Sequence, residues 1–449
     1  MTALTVLVSA WLAGAAPITL DEALAAASRR NPDVAVARAD EEAAAADVRL
    51  SYQGVLPRLD LTGAFGHQFQ GEQQQVNVVP NPTPPPDFVR EAVTYPKNDF
   101  GVYQLGLGLT WTVFDGLASW NGISAARTRS AAARRQLDET TLRTAFEVTR
   151  RFYEVVKQQR ALDVRRQTAA LSAELVERAD ALFSAGRGTK ADTYSARVNL
   201  GNDRIAVRTQ AAALERARTD LASVIGLGSG AGLEVVPPDT VTGPRLPAQP
   251  ATPPVDALLA EARRRRPGLA SRRLAGEAGD LEIARAKGAY WPVVGLQASY
   301  DKATPDLTGD FGLLGNPSRQ YVFTAQVTLT WNLYAGGSTR AGVQRAEADA
   351  HRAWALVDQA EQTVAAEVSV AREQLASLLD TAPTVQENLE AAQGALRFAR
   401  ERLDAGVGSQ LEVRDAMLKL ADARLAWVST VVDLVVARAD LNRAVGGGL

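Results

Sequence analysis

The sequence has 449 residues and contains no cysteine, which excludes disulfide bonds, thiolate metal sites and thiol nucleophiles. It has only two histidines, His67 and His351, so a histidine-based catalytic or zinc cluster is nearly excluded. The formal net charge is -2, and without a basic stripe nothing favours nucleic acid as a partner. We therefore expect no enzyme, no cofactor, no metal site and no nucleic-acid binding.

Long hydrophobic runs are also missing, apart from a short one at the start. Residues 2–14 carry no charge, and the small residues Ala13, Gly14 and Ala15 follow an apolar core. This pattern is typical of a cleaved secretory signal, and the run is too short for a transmembrane helix. We expect residues 1–15 to be a signal peptide. Because no other stretch reaches transmembrane-helix length, any contact with a membrane is expected to be made by strands.

The chain contains an internal duplication. Pro32 and Pro57 match Pro267 and Pro292 within similar surroundings. Two further matches follow in the same order, LTWTVFDG at 109–116 with LTWNLYAG at 329–336, and SAGRGTKAD at 184–192 with DAGVGSQLE at 404–412. Collinear matches of this kind indicate a repeat. We place the first repeat at 16–227 and the second at 255–449, joined by a Pro/Gly-rich linker at 228–254.

Each repeat predicts the order helix, strand, loop, strand, long helix, tight turn, helix. Each long helix is expected to have almost 70 residues, roughly 100 Å at 1.5 Å per residue. The flanking helices are predicted at about 20–55, 190–226, 255–291 and 410–446. Pro383 lies inside the second long helix and is expected to kink or open it locally. The run Arg263–Arg266 precedes Pro267 and is interpreted as cations at a helix C-terminus.

The long helices carry apolar seams with coiled-coil spacing. They include Val148, Phe152, Val155 and Leu162 in the first repeat and Val357, Val364, Val368, Ala371 and Leu375 in the second. Neighbouring seams on one helix indicate partners on both sides, as in a closed ring of helices. A soluble antiparallel coiled coil would fit the helices equally well. A periplasmic coiled-coil scaffold without a pore is therefore kept as the alternative.

Four segments alternate between apolar and uncharged polar residues, at about 58–70, 101–114, 293–301 and 321–334. The pattern is typical of barrel strands that face lipid on one side and a wet lumen on the other. Open sheet edges do not occur in hydrocarbon, and four strands are too few to close, so several copies must contribute. Three copies give an even count of twelve strands. The first repeat has an insert, and its NPTPPPDF stretch at 81–88 predicts an exposed loop.

These features resemble the TolC family of outer-membrane efflux proteins. The matching elements are the opening TLDEALAAASRRNPDV, the prolines that enter each first strand, the FDG and YAGG motifs after the second strands, and the two tight turns. The resemblance implies a mainly α fold with a membrane β-barrel, in which a homotrimer forms a twelve-stranded barrel in the outer membrane and a twelve-helix periplasmic tunnel. The linker would lie in its equatorial region. Trp111 and Trp331 depart from the family, which often has proline there.

The resemblance also implies a function and partners. The protein would be the exit duct of a tripartite efflux or type I secretion system, and would pass solutes from a periplasmic adaptor and an inner-membrane pump to the exterior. Outer-membrane lipid would surround the barrel. We expect the adaptor to dock on the two tight turns, whose candidate residues are Gly186, Gly188, Thr189, Gly406, Gly408 and Ser409. The simpler interpretation of the glycines is that they are helix C-caps.

Three carboxylates are candidates for a gate or cation ring: Asp192, Glu412 and Asp415. Asp192 and Glu412 also fit capping boxes that begin at Thr189 and Ser409, whereas Asp415 lies one turn deeper. In the resemblance, Glu412 and Asp415 fall on carboxylates that line the tunnel entrance, and Asp192 on an acid of the gate network. Gly408 replaces the basic residue of that pattern, which argues against a salt-bridge latch there. Threefold symmetry would turn Glu412 and Asp415 into six carboxylates that favour cations.

Overall fold

The computed structural model describes residues 17–80, 88–228, 233–237 and 253–447. The predicted signal peptide and most of the linker lie outside these ranges. The chain divides into two compact units. The helical unit comprises residues up to 44, 129–276 and 353 onwards, and the sheet unit comprises residues 45–128 and 277–352.

Eight α-helices are present in the described ranges, and several of them run from one unit into the other. Their bounds are α1 Leu20–Arg30, α2 Pro32–Ser51, α3 Ala118–Ser184, α4 Lys190–Ile225, α5 Val255–Arg265, α6 Pro267–Lys287, α7 Ser338–Asp404 and α8 Gln410–Val445. The long helices α3 and α7 have 67 residues each, and α4 and α8 have 36 each. The two repeats are therefore built to the same lengths. The expected opening at Pro383 does not occur, since α7 stays helical through this exposed residue.

The predicted single helices at about 20–55 and 255–291 are each two helices, which corrects the sequence interpretation. The breaks fall at Asn31 and Arg266, whose ψ angles of 128° and 115° are extended. Pro32 and Pro267 follow them, and a proline disfavours helical backbone in the residue before it. Both prolines mark the repeat in the sequence, and they also mark the breaks.

Both breaks are anchored to the last helix of their own repeat. The Asn31 side-chain amide donates to the Val224 carbonyl at 2.8 Å, and the Arg266 guanidinium donates to the Ala444 carbonyl at 3.4 Å. The two acceptors occupy matching places near the ends of α4 and α8. The duplication therefore extends from the sequence to the way in which each helix pair is packed.

The core of the helical unit is built from the predicted seams. Every seam residue named above is buried, and Val148, Phe152, Val155 and Val368 have no exposed surface. One apolar cluster joins α1, α3 and α4 and includes Val432 of α8, and a second joins α5, α7 and α8. A third lies towards the tips of α7 and α8, where Leu171 and Leu175 of α3 also pack against it. Apolar contact therefore joins the first repeat to the second near the tight turns.

The sheet unit holds six strands among the described residues. Their bounds are β1 Arg58–Gln70, β2 Gln73–Pro80, β3 Phe88–Tyr95, β4 Asn98–Phe114, β5 Val293–Thr304 and β6 Tyr321–Thr330. The main sheet is antiparallel with the order β1-β4-β5-β6, so that the hairpins of the two repeats lie side by side. The last strand ends four residues before the predicted position 334. Because β5 begins at Val293, opposite Thr330, residues 331–334 have no strand to pair with.

The strands β2 and β3 form a separate two-stranded sheet inside the insert, on either side of the stretch 81–88 that was predicted to be an exposed loop. Their register runs from Gln73 opposite Tyr95 to Pro80 opposite Phe88. Phe88, the last residue of the predicted loop, therefore belongs to a strand, while 81–87 lie outside the described residues. Val76 and Val78 alternate with Gln75 and Asn77, which is the signal that could have revealed the hairpin.

Candidate functional site

One face of the main sheet is apolar and open. On β1, Leu59, Leu61 and Phe65 are exposed, and Phe69 is 78% exposed. On β6, Phe323 and Val327 are also exposed. The other face is polar and internally bonded, since Gln326 donates to the Gln297 side chain at 2.9 Å. A contiguous exposed apolar face marks a contact surface. The alternation of apolar and polar side chains along each strand matches strands that have lipid on one side.

Both outer edges of this sheet are unpaired in the described structure, because β1 and β6 each have one neighbour. No helix in the described ranges has the length and apolarity of a membrane span. An open edge presents backbone N–H and C=O groups that must find partners. Each edge strand therefore needs a further strand with which to pair.

The first tight turn, residues 185–189, joins α3 to α4. Gly186 has a φ of +69°, and the next residue, Arg187, donates its backbone N–H to the Leu182 carbonyl at 2.9 Å. This is the helix-ending geometry that favours glycine. A Cβ on Gly188 would lie 3.1 Å from the Phe183 nitrogen, so that position has little room for a side chain.

The second turn, residues 405–409, has the same backbone. Gly406 has a φ of +75°, and the N–H groups of Val407 and Gly408 both donate to the Arg402 carbonyl, at 3.0 and 2.9 Å. A Cβ on Gly408 would lie 2.9 Å from the Leu403 nitrogen. In contrast, nothing lies within 4 Å of a Cβ built on Gly186 or Gly406, so those two positions face open space. The C-cap interpretation explains the conformation of the turns but leaves that open space unexplained.

Asp192 forms the predicted capping box. Its backbone N–H donates to Thr189 Oγ1 at 3.2 Å, and its carboxylate accepts the Thr189 backbone N–H at 3.1 Å. Hydrogen bonds from the Thr189 hydroxyl and then from its backbone N–H lower the pKa of this exposed Asp192 carboxyl. Asp192 is therefore held as an anion at the N-terminus of α4, where the helix dipole also favours negative charge.

Glu412 and Asp415 are bonded differently. The Ser409 hydroxyl accepts the Glu412 backbone N–H at 3.1 Å, but the Glu412 carboxylate does not return to Ser409 and lies 3.5 Å from Arg402. Asp415 forms an ion pair with Lys419 at 2.7 Å, one helical turn further on. Both pairs are about half exposed or more, so each contributes little stability. The capping box predicted at Ser409 is therefore only half formed.

A buried ion pair near the second turn was missed by the sequence analysis. Arg414 binds Asp203 through both guanidinium ends, at 2.6 and 3.0 Å, and also donates to Ser172 Oγ at 2.8 Å. Ser172 in turn donates to Asp203 at 2.5 Å. The Arg414 and Asp203 side chains are only 12% and 11% exposed. This network joins α8 of the second repeat to α3 and α4 of the first.

Burial by itself would raise the pKa of Asp203, but the hydrogen bonds from Arg414 and Ser172, with the charges of Arg414 and Arg165, lower it overall. Beside the network lies a cleft of about 260 Å³ whose lining includes Arg414 and Asp192. Glu412 and Asp415 do not line it. Within the described residues, no three His, Cys, Asp or Glu side chains form a group that could hold a metal ion. The three candidate carboxylates are therefore not brought together in one protomer.

Solved structures share the fold over nearly the whole chain. The MtrE outer membrane channel of Neisseria gonorrhoeae, solved in an open state, is 19% identical with a TM-score of 0.74, over 96% of this chain and 89% of that one. Paired long helices and an antiparallel sheet with an apolar face thus place the chain in the fold class of the TolC-like outer-membrane channels.

The sequence profile described as outer membrane efflux protein matches residues 23–227 and 258–447. The chain belongs to this family. Its relatives include the outer membrane efflux protein BepC of Brucella suis, 27% identical over 76% of this chain and 72% of that protein. Another is the outer membrane protein OprJ of Pseudomonas aeruginosa, 28% identical over 51% of this chain and 46% of that protein. The chain thus spans about half the length of OprJ.

The family assignment confirms the expected location and function. The protein is an efflux channel of the cell outer membrane with a periplasmic tunnel, and it is not an enzyme. The scaffold without a pore is thereby set aside. The names of several relatives describe the outer membrane protein of an efflux pump, and channels of this kind work in tripartite systems with an adaptor and a pump.

Proposed function

We propose that three copies of this chain form the exit duct of a tripartite efflux or type I secretion system. The observation that carries the proposal is the four-stranded sheet, which has two open edges and an exposed apolar face. Joining β6 of one copy to β1 of the next would close twelve strands and leave no edge in lipid. The helices would continue as a ring of twelve, since α2 of 20 residues and α4 of 36 residues together approach the length of one 67-residue helix, as do α6 of 21 residues and α8 of 36 residues.

The trimer is tested on protein purified in detergent. We expect a mass of three chains by light scattering with detergent correction, and a loss of sheet signal in circular dichroism when protomers are separated. Both the mass and the loss of sheet signal follow from pairing of strand edges between copies, because an isolated four-stranded sheet cannot satisfy the backbone groups of its edges in a micelle. A folded monomer that retains its sheet content would contradict the proposal.

The adaptor is proposed to dock on the residues Gly186, Gly188, Thr189, Gly406, Gly408 and Ser409. Support comes from the open space in front of Gly186 and Gly406, which lets another chain approach the backbone closely. Gly406→Asn is a suitable test, because asparagine tolerates positive φ better than other side chains and its side chain would fill the space. We expect lost co-purification with the adaptor and lost drug resistance in a host that depends on this channel.

The matched control is Gly336→Asn, at a position with a φ of +61° and equally open space, outside both turns. It imposes the same conformational demand, and we expect it to leave adaptor binding and resistance unchanged. Equal loss in both variants would mean that the effect comes from backbone strain. Full activity of Gly406→Asn would show that the turn is only a helix cap.

Glu412 and Asp415 are proposed to form a cation-favouring ring at the tunnel entrance, with Asp192 nearby. Their partners, Arg402 and Lys419, hold them only by exposed ion pairs, so the carboxylates stay available to a multivalent cation. Single-channel conductance in planar bilayers tests the ring, with hexamminecobalt(III) added on the periplasmic side. We expect block of the parent channel and loss of block, with weaker cation selectivity, in the double variant Glu412→Ala/Asp415→Ala.

Asp404→Asn serves as the control for the ring, since Asp404 is an exposed carboxylate near the same turn, bound to Arg178. Its removal should leave the block unchanged. If the double variant is blocked as well as the parent, the two carboxylates are only helix-cap and surface residues.

A further inference from the structure

The two strand-to-helix junctions of the sheet unit differ at one strained position. Leu117 has a φ of +67°, and the matching residue of the second repeat, Gly337, has a φ of +85°. Leu117 and Gly337 are the N-cap residues of α3 and α7. Their carbonyls accept the N–H groups of Asn121 and Ala341, respectively. Left-handed backbone is unfavourable for a side chain with a Cβ. The second repeat avoids that cost with glycine, and the first repeat retains leucine.

Packing does not explain the leucine, because Leu117 is 56% exposed. Trp120, three residues further along α3 and on the same helix face, is 57% exposed. Leu56, just before β1, is exposed as well. Ser119 Oγ donates to the Gly54 carbonyl at 3.2 Å, which holds the chain before β1 against the start of α3. We call Leu56, Leu117 and Trp120 the junction patch.

The junction patch continues the apolar face of the sheet. Trp111 and Val113 are exposed at the end of β4, four to six residues before Leu117. The Trp111 indole donates to the Val55 carbonyl at 2.9 Å, so this ring is fixed beside Leu56. Trp331 makes the same bond to the Tyr290 carbonyl at 3.2 Å. Tryptophan with its N–H satisfied and its ring exposed is characteristic of the membrane–water interface.

We propose that the junction patch inserts into the headgroup–acyl boundary of the phospholipid leaflet that faces the periplasm. The lipid-contacting surface then extends beyond the strands onto the first turn of α3. The strain at Leu117 is retained because its side chain contacts lipid, in line with the rule that strained residues persist where the surroundings compensate. The chain is located in the outer membrane, and the junction patch is continuous with the apolar face of its strands. Phospholipid is the occupant, and a second copy of the chain is the competing one.

The absence of cysteine makes a direct test simple. Leu117→Cys and Trp120→Cys in the full chain would carry a nitroxide label in liposomes of phosphatidylethanolamine and phosphatidylglycerol. We expect greater relaxation by oxygen, which partitions into lipid, than by a water-soluble nickel chelate. The control, Arg187→Cys in the first tight turn, should show the reverse order. Labels at 117 and 120 that respond mainly to nickel, or that are shielded from both reagents as in contact with a second copy, would overturn the proposal.

A second variant keeps the test independent of labelling. Leu117→Gly removes the strain together with the lipid contact, so we expect an unchanged or raised melting temperature in detergent, and a smaller rise of the melting temperature on transfer from detergent to liposomes than in the parent. An equal rise in variant and parent would overturn the proposal. Light scattering on the same samples separates the two ideas. A parent chain that is not trimeric would contradict the proposed duct. A trimeric chain that is inserted in liposomes, with labels at 117 and 120 exposed to water, would contradict only the junction patch.

Discussion

The two tight turns share a backbone and differ in the bonds of their side chains. In the first, Thr189 and Asp192 satisfy each other in both directions. In the second, Ser409 only accepts, and the Glu412 carboxylate turns to Arg402. The deep contacts differ likewise, because Arg414 is matched in the first repeat by the exposed Tyr194. Duplication thus preserved the backbone geometry of the turns, while the side-chain contacts of the two repeats differ: Arg414 of the second repeat binds Asp203 of the first, and Tyr194 at the matching position is exposed.

The largest difference between the repeats is expected at the helix breaks. Arg266 is buried between Glu139, at 3.3 Å, and Glu367, at 2.7 Å, whereas Asn31 makes neutral hydrogen bonds. Removing one member of a buried ion network costs about 3–5 kcal/mol, and removing a neutral cap about 1 kcal/mol. We therefore expect Arg266→Met to lower the thermal midpoint, followed by circular dichroism in detergent, far more than Asn31→Ala. Equal shifts would show that the breaks are energetically equivalent.

The next effect concerns Arg414 and Asp203. We expect Arg414→Met to cost about 3 kcal/mol, because it leaves the buried Asp203 charge without its bidentate partner. Asp203→Asn should cost a similar amount, and the double variant less than the sum of the two, since the pair acts as a unit. The control Asp404→Asn removes an exposed pair that also joins the repeats and should cost below about 1 kcal/mol. Additive losses in the double variant would contradict a coupled pair.

The pH dependence follows from the sign of the Asp203 shift. Its pKa in the folded chain is lowered by Arg414 and Ser172, in spite of burial. The folded state therefore binds the proton less readily than the unfolded chain. The stabilisation is complete above the ordinary aspartate pKa of about 4 and is lost as the pH falls through the lower pKa of the folded state. In Arg414→Met, we expect the melting temperature between about pH 3 and 5 to fall less steeply than in the parent.

The features of this molecule that could be predicted from the sequence are those with local or repeated signals. The Thr189–Asp192 box lies within one helical turn, and the seams and strand faces recur with fixed periods. Asp203 and Ser172 lie 211 and 242 residues before Arg414 in the chain, so no periodic pattern connects them. The breaks at Asn31 and Arg266 were signalled by the prolines that follow, but the helical period on either side concealed them. Leu117 carries no signal in the sequence, because its strain exists only in the folded backbone.

A smaller effect is expected at the caps themselves. Thr189→Ala removes the two bonds of the Thr189 hydroxyl with Asp192 but keeps the bond from the backbone N–H of residue 189, and it should cost about 1 kcal/mol. Ser409→Ala removes a single bond and should cost about half as much. Hydrogen exchange of the first-turn amides of α4 and α8 measures the two losses separately. Equal losses of protection would mean that the second hydroxyl bond of Thr189 adds nothing to the first cap.

The smallest effect on stability, and a sharper one on conduction, is expected for Lys419→Ala. The Asp415–Lys419 pair is exposed and separated by one helical turn, so its loss should cost only about 0.3–0.5 kcal/mol. The first repeat has no such pair at the matching residues, Ser195 and Asn199.

Removing the Lys419 ammonium leaves the Asp415 carboxylate without a compensating charge. A unit charge about 4 Å away contributes about 1 kcal/mol in water, so hexamminecobalt(III) should block at a several-fold lower concentration. The difference should shrink as salt rises, because screening shortens the range of exposed charges. A half-blocking concentration unchanged from that of the parent at low salt would place Asp415 outside the ring and leave Glu412 as the only carboxylate of the second repeat in it.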